Sequence, residues 1–177
     1  LGFFLINKEV EHYGAVALNA QGIASNINSI CFILPASIGT TVTSMISMNL
    51  GIGNIEKSKK IFYCGITTSI VIALLIIMST LPFSNVFTLS FTREKAVLDI
   101  ANRALNIYTY SVIGFGIFCV CQGVFIALAR TKVPMFMSIL RIWFFRYLFI
   151  LFTKSTLGLY SVFWGNLFSN LLAGTVF

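Results

Sequence analysis

One uncharged stretch, residues 13–50, limits most strongly what this chain can fold into. At about 1.5 Å per residue, a single helix over this stretch would exceed the hydrocarbon core of a bilayer, which is about 30 Å thick. The helix must therefore bend or project from the membrane. Pro35, with Gly39 one turn later, predicts a bend because proline removes a backbone hydrogen bond from the helix. Pro35 is accordingly the candidate hinge.

Four further apolar stretches follow, each bounded by charged residues, proline or glycine. They cover residues 61–81, 104–129, 134–154 and 157–177, and each has about the length that crosses a bilayer as a helix. Residues 1–6 are apolar but too few to span. The sequence therefore predicts an all-α membrane protein, a polytopic helical bundle with five full transmembrane helices plus a partial one, in a single transmembrane region over residues 1–177.

The composition excludes a soluble domain. Hydrophobic residues make up 58% of the chain and charged residues only 10%, whereas soluble domains carry about 25% charged residues. The net charge of +7 does not indicate nucleic-acid binding, because the basic residues lie in short clusters between apolar stretches. Compact clusters at Lys59 and Lys60 and at Arg130 and Lys132 indicate cytoplasmic loops. The predicted location is a cell membrane, plasma or inner, crossed several times.

The two ends of the chain predict a piece of a longer membrane protein. The first residue is Leu1, with no initiator methionine, and both ends are apolar. We interpret the chain as lacking most of one helix before Asn7 and everything upstream of it.

No pattern of residues indicates an enzyme. His12 lies in a polar segment beside Glu9 and Glu11 without the partners of a catalytic or metal site. The four cysteines lie inside apolar stretches and match no zinc-ligand spacing. We predict no enzyme activity, no catalytic residues, no metal site and no bound cofactor.

Polar side chains inside the apolar stretches are the candidates for a functional site. Such groups either hydrogen-bond between helices or line an aqueous cavity, and the sequence leaves both possibilities open. Methionine and aromatic side chains suit the binding of flat hydrophobic cations, with contact to lipid as the alternative. The candidate substrate-cavity residues are Gln21, Asn26, Met45, Tyr110, Phe118 and Gln122.

Two arginines, Arg141 and Arg146, are the charged residues inside the apolar stretches. On an α-helix their directions differ by about 140°, which predicts that they cannot both face one groove. We expect them to reach the cytoplasmic side or to pair with backbone carbonyls, with substrate or lipid contact as the alternative. These stretches hold no Asp or Glu, so a site for coupling to sodium or protons is expected outside this chain.

Six segments, taken in order, resemble the multidrug and toxic compound extrusion (MATE) transporters. The segments are residues 15–23 (AVALNAQGI), 34–39 (LPASIG), 49–54 (NLGIGN), 127–135 (ALARTKVPM), 138–146 (SILRIWFFR) and 158–164 (GLYSVFW). They span nearly the whole chain. Trp164 and the amides that follow it resemble the second six-helix half of the family more than the first.

The resemblance implies that the chain holds the end of the seventh helix and helices eight to twelve, within one of two lobes around a central cavity. It implies export of cationic or amphiphilic compounds by antiport against sodium or protons. The implied partners are the lipid bilayer, the N-terminal lobe of the same protein and small substrates, with no nucleic acid. Gln21 matches a polar cavity position in some members. Residues 114–119 lack the acidic residue that the NorM-like branch carries there. In this respect the chain resembles the DinF-like branch.

Two other functions stay open at this point. A lipid-linked oligosaccharide flippase of the same superfamily would have a cavity lined with basic residues, whereas the cavity candidates here are neutral. The third function is a membrane channel or a membrane-embedded enzyme. The apolar stretches contain no Asp, Glu or His for an enzyme and no ring-forming polar motif for a channel.

Overall fold

The computed structural model describes residues 2–176, with the side chains of residues 6, 7 and 9–176. Over residues 2–176 the chain is helical and contains no strand. One long helix changes from α to π and back to α without interruption. The elements in chain order are α1 (Gly2–Glu11), α2 (Ala15–Gly51), α3 (Ile55–Thr80), α4 (Ser84–Leu89), α5 (Lys95–Ala127), α6 (Lys132–Ile139), the π segment (Leu140–Arg146), α7 (Tyr147–Leu157) and α8 (Tyr160–Val176).

The predicted class, an all-α membrane bundle, is confirmed. Within residues 2–176, four helices are long and apolar enough to cross a bilayer: α2, α3, α5 and the continuous helix Lys132–Leu157. The number differs from the five full spans predicted, because α8 has only 17 described residues. Large apolar side chains face outward on these helices, such as Met78 at 72% and Phe152 at 79% exposure. A lipid environment accounts for such exposure.

Local capping moves the helix boundaries away from the predicted ones. The backbone N–H of Lys57 donates to the Asn54 side chain over 3.0 Å, so α3 begins at Ile55 and its first turns contain the charged cluster. Gly158 has a φ of 53°, which interrupts the helix, and α8 begins at Tyr160 rather than at 157. The short helix α4 was not predicted.

Helix α5 is the centre of the bundle and packs against α2, α3 and α8. Glycines permit these close approaches. A Cβ atom on Gly123 would lie 2.6 Å from the Gly39 carbonyl oxygen of α2, and one on Gly114 would lie 2.5 Å from the Asn170 carbonyl oxygen of α8. The contact at Gly114 brings the polar face of α8 close to α5.

A buried apolar cluster joins α1, α2, α5, α7 and α8. It includes Ile6, Leu105, Ile150 and Phe163 together with Tyr108. The rings of Tyr108 and Phe163 meet edge to face with centroids 5.6 Å apart, a favourable geometry for aromatic pairs. Tyr108 also lines the polar cavity described next, so the core directly supports one wall of that cavity.

Candidate functional site

A cavity of about 600 Å³ lies between α2, α5, the π segment and α8, with Asn7 of α1 at its edge. Cavities that hold small organic ligands commonly measure about 300–1,000 Å³. The cavity therefore has room for a drug-sized molecule.

One wall of the cavity comes from the first half of α2. The Gln21 side-chain Nε2 donates to Asn7 Oδ1 over 3.4 Å. Two amide oxygens of this wall, Gln21 Oε1 and Asn28 Oδ1, are buried and have no hydrogen-bond partner in the part of the chain that the structure describes. Because an unpaired buried acceptor is costly, both oxygens are suited to accept a hydrogen bond from a ligand. The wall consists of Leu18, Gln21, Gly22, Ser25, Asn26, Asn28, Ser29 and Phe32.

A chain of hydrogen bonds between α5 and α8 forms the opposite wall. Asn166 Nδ2 donates to Ser111 Oγ over 3.5 Å, and Asn170 Nδ2 donates to Asn166 Oδ1 over 3.3 Å. The Asn170 side-chain oxygen accepts from Arg141 Nη1 over 2.7 Å. These hydrogen bonds fix the orientation of the Asn170 amide, and the amide holds one edge of the Arg141 guanidinium.

Aromatic rings support the same guanidinium from α5. The guanidinium carbon of Arg141 lies 5.2 Å from the ring centroid of Phe115 and 4.9 Å from that of Phe118. These distances are within the range of cation–π attraction. Phe115 in turn stacks on Phe32 of α2, with centroids 4.1 Å apart. Flat aromatic surface and fixed positive charge therefore lie side by side in the cavity.

Arg141 and Arg146 both line this cavity, so the prediction that they could not face one groove is wrong. The physical reason is the π segment, which contains both residues. In a π-helix the hydrogen bond joins residues five apart rather than four, so residues 141 and 146 are about one turn apart and point to the same side. Arg141 was expected to pair with backbone carbonyls, whereas its Nη1 donates to the side-chain oxygen of Asn170.

The wall of the cavity is basic, whereas the cavity candidates chosen from the sequence are all neutral. Among the described lining residues there are two arginines and no Asp or Glu. A shallower neighbouring cavity of about 370 Å³ shares Gly22 and Asn26 with it and includes Glu94. The negative charge of Glu94 therefore lies in a different cavity from the arginines.

The six substrate-cavity candidates occupy three kinds of position. Gln21 and Asn26 line the larger cavity. Phe118 is 2% exposed and lies behind it, under the Arg141 guanidinium. Met45 and Tyr110 are exposed on the outside of their helices, at 42% and 48%. Gln122 is half-buried on α5 and, like those two, does not appear in the lining of either described cavity. A substrate contact for any of the six stays a prediction.

Sequence reasoning missed the contribution of α8 to the site. Asn166, Ser169 and Asn170 line the cavity, and their spacing of three and four residues places them on one face of a helix. That spacing is visible in the sequence and could have indicated a polar wall. No such pattern could have predicted that the two arginines line the same cavity, because nothing in the apolar sequence around them indicates a π segment.

Comparison with known proteins supports the family resemblance. The model of the family described as MatE matches residues 1–152. The chain is 27% identical over 134 residues to the probable multidrug resistance protein YoeA of Bacillus subtilis, covering 76% of this chain and 29% of that protein. It is 24% identical over 130 residues to the probable multidrug resistance protein NorM of Haemophilus ducreyi, covering 73% and 28%. The chain thus spans less than a third of the length of these relatives.

Solved structures share the fold. The Vibrio cholerae MATE transporter VcmN in its bent form superposes with a TM-score of 0.92 at 23% identity, over 99% of this chain and 40% of that one. An outward-facing MATE family transporter superposes with a TM-score of 0.90 at 20% identity, over 99% and 40%. These names describe transporters rather than enzymes, as the sequence predicted. With the family model matching most of its length, the chain belongs to the MatE family of multi-pass membrane transport proteins.

Proposed function

We propose that this chain is the C-terminal lobe of a two-lobe efflux transporter. In this proposal α1 is the end of the seventh helix, and α2, α3, α5, the continuous helix Lys132–Leu157 and α8 are helices eight to twelve. The match to 40% of the VcmN chain supports it, because one of two similar lobes would occupy about that share. The second lobe would belong to the same longer protein. Assignment to the DinF-like branch stays a prediction.

The cavity is the observation that carries this proposal. It is large enough for a drug-sized ligand, and amides, arginines and aromatic rings from four elements converge on it. Such a mixture of apolar surface and few polar groups is typical of small-molecule sites. The two arginines disfavour cations in this half of the path. We therefore take amphiphilic organic compounds, rather than cations in general, as the exported substrates.

Coupling to sodium or protons requires a group that this lobe does not offer. All five acidic residues of the chain lie in or near the ends of helices, and Glu56, Glu94 and Asp99 are three of them. Because a coupling carboxylate in a secondary transporter normally lies at membrane depth, we assign it to the other lobe. Antiport is thus a property of the whole protein in this proposal, and no cofactor is needed.

Reconstitution in liposomes tests the proposal. We expect the 177-residue chain alone to show no gradient-driven movement of a fluorescent amphiphilic dye, because alternating access needs two bodies around a shared site. The longer protein with both lobes is expected to move the dye when a proton or sodium gradient is imposed. Gradient-driven movement by the chain alone, above that of empty liposomes, would contradict the half-transporter proposal and favour a channel or a homodimeric carrier.

A flippase for lipid-linked oligosaccharides is the second candidate, and one observation favours it. The cavity wall contains Arg141 and Arg146, whereas the sequence predicted a neutral wall. Two basic residues are suited to hold a phosphate-bearing headgroup. Binding of an anionic lipid at these arginines distinguishes this candidate from export of a soluble compound.

A further inference from the structure

The short helix α4 has its polar side chains inside and its apolar side chains outside. Ser84 and Thr88 are buried. The large apolar side chains of α4 and its flanks are instead between 43% and 59% exposed: Phe83, Val86, Phe87, Leu89 and Phe91. In water this arrangement would be unfavourable, because removing apolar surface from water is the main driving force of folding. The outer face of α4 therefore needs an apolar partner.

Hydrogen bonds to α5 hold α4 in this orientation. The Thr88 hydroxyl donates to Asn102 Oδ1 of α5, and Asn102 Nδ2 donates to Asn85 Oδ1. Rotation of α4 to bury its apolar face would break these hydrogen bonds and leave polar groups without partners. The outward direction of the apolar side chains is therefore part of the fold.

The lengths of the neighbouring helices place α4 at the boundary of the hydrocarbon core. The uncharged residues 61–81 extend from the basic cluster of α3 to its C-cap. They measure about 31 Å at about 1.5 Å per residue, close to the hydrocarbon thickness of about 30 Å. Helix α4 begins just beyond them, at Ser84. Its partner Asn102 likewise comes just before the apolar residues 104–129 of α5. Both sides of the contact thus lie where the hydrocarbon ends, opposite to the basic cluster.

The outer face of α4 continues the face of α3 that lipid surrounds. Val71, Leu75 and Met78 are exposed and lie three or four residues apart, on one face of α3. Pro82, four residues after Met78, is also exposed, and the exposed Phe83 follows it. Lipid accounts for the exposure of the α3 side chains. Because the two apolar surfaces are continuous, the same occupant accounts for both.

We propose that α4, with residues 81–83 and 90–92 on either side of it, is an interfacial anchor that binds the phospholipid bilayer. Its apolar side chains insert at the boundary between headgroups and acyl chains, as the apolar faces of interfacial helices do. The anchor fixes the depth of the turn between α3 and α5. Phe91 and Thr92 also line the neighbouring cavity of about 370 Å³, together with Asn26 of α2. The contact with lipid therefore supports one edge of that cavity.

Tryptophan fluorescence with brominated lipids tests this contact. The chain has two tryptophans, Trp143 and Trp164, and replacing both with phenylalanine gives a silent background for the reporter Phe87→Trp. In phosphatidylcholine nanodiscs we expect the reporter to lie about 5–10 Å into the boundary between headgroups and acyl chains. Lipid brominated in the upper half of its acyl chains should then quench it more than lipid brominated near the chain ends. Strong quenching by acrylamide, which stays in water, with none by either lipid would overturn the proposal.

Two further reporters on α3 calibrate the depth. Val71→Trp lies in the middle of the apolar stretch and should be quenched most by lipid brominated near the chain ends. Lys59→Trp precedes that stretch and should be quenched mainly by acrylamide. If Phe87→Trp behaves like Lys59→Trp, α4 is in water and the proposal is wrong. If it behaves like Val71→Trp, α4 lies inside the hydrocarbon core and the interfacial position is wrong.

Two asparagines on α5 test whether the hydrogen bonds orient the anchor. Asn102→Ala removes the partners of Thr88 and Asn85, so the depth of the Phe87→Trp reporter should become less defined and quenching by the two lipids more nearly equal. Asn106→Ala is the matched control one turn later, because Asn106 Oδ1 has no hydrogen-bond partner among the described residues. Circular dichroism establishes that both variants are folded. Equal changes in the two variants would contradict an anchor oriented by Asn102.

A second lobe of the longer protein is the competing cover for this face. In that protein, with its other tryptophans replaced, we expect lipid to quench the Phe87→Trp reporter as strongly as in the 177-residue chain. Loss of quenching by both lipids and by acrylamide would assign the face to a protein contact and overturn the lipid anchor. The measurement needs no gradient and no substrate, so its outcome is independent of the transport proposal.

Discussion

Pro35 divides α2 into two halves that both carry polar side chains but use them differently. In the first half, amides line the larger cavity, and oxygens of Gln21 and Asn28 have no hydrogen-bond partner among the described residues. In the second half, hydroxyls predominate and many are exposed. Thr41 Oγ1 donates to the Ser37 carbonyl over 2.9 Å, and Ser44 Oγ donates to the Thr40 carbonyl over 3.2 Å.

The difference follows from the hydrogen-bonding capacity of the two groups. A hydroxyl has one proton to donate, and a carbonyl of the preceding turn can accept it, so the side chain satisfies its donor within its own helix. An amide oxygen needs a donor, and inside a helix the backbone N–H groups are already engaged. Runs of Ser and Thr in a membrane helix are therefore weak indicators of a cavity, whereas amides are stronger ones. Asn49, in the second half, is an amide that does bond within its own helix, because its Nδ2 donates to the Met45 carbonyl over 2.7 Å.

Replacing the helical glycines on either side of Pro35, Gly22 and Gly39, with alanine should produce the largest difference between the two halves, in the stability of the fold. A Cβ on Gly39 would lie 2.7 Å from the Cys119 carbonyl oxygen, whereas one on Gly22 would have no atom within 4 Å. Gly39→Ala is expected to destabilise the fold by about 1–3 kcal/mol through overpacking. Gly22→Ala is expected to stabilise it by up to about 1 kcal/mol through helix propensity. Thermal unfolding in detergent, followed by circular dichroism, measures both. Equal unfolding midpoints for the two variants would show that the second half of α2 does not pack as closely on α5 as described.

Replacement of the amides should affect binding more than stability. Gln21→Leu and Asn28→Leu are each expected to weaken binding by about threefold to tenfold, the value of one hydrogen bond. The measurement uses fluorescein or rhodamine 6G, whichever the unmodified chain binds more tightly. The Asn28→Leu variant should be at least as stable as the unmodified chain, because it removes a buried acceptor that lacks a partner.

Thr41→Val and Ser44→Ala are the matched controls in the second half of α2. Both hydroxyls donate within their own helix, and neither residue appears in the lining of the two described cavities. Their replacement should leave dye affinity unchanged. If these variants weaken binding as much as the amide variants do, the functional distinction between the two halves is wrong.

Replacing Pro35 itself should have the smallest effect, and that effect should be confined to the rate of dye efflux. Alanine restores an N–H that can bond to the carbonyl four residues earlier, at Cys31, which stiffens the connection between the halves. In the longer two-lobe protein, Pro35→Ala is expected to slow dye efflux by about twofold to fivefold while expression is preserved. Initial rates in liposomes, normalised to protein, provide the measurement. Unchanged rates for several dyes would reduce Pro35 to a packing residue beside Gly116, whose Cβ would lie 3.6 Å from it.

Hydropathy, together with the charged, proline and glycine residues that bound the apolar stretches, was sufficient to predict the helical architecture. The uncharged stretch at residues 13–50 became α2, and the stretch with Arg141 and Arg146 became the continuous helix Lys132–Leu157. The errors concern helix ends such as Ile55 and Tyr160, where a cap or a glycine with positive φ decides the boundary, and the short helix α4, which was not predicted. These properties are local, because the length and polarity of a segment determine whether a lipid bilayer can accommodate it.

The chemistry of the cavity was decided only by the tertiary structure. Gln21 and Asn26 were predicted as cavity residues on the same grounds as Tyr110 and Gln122, yet only the first two line the larger cavity. Residue type is available from the sequence, whereas the direction of a side chain depends on how its helix is rotated against its neighbours. For Arg141 and Arg146 that direction depends further on the π segment, because a change from four-residue to five-residue hydrogen bonding rotates one side chain relative to the other. Close contacts such as Gly114 with Asn170 join residues distant in sequence, and they bring the amides of α8 to the arginines.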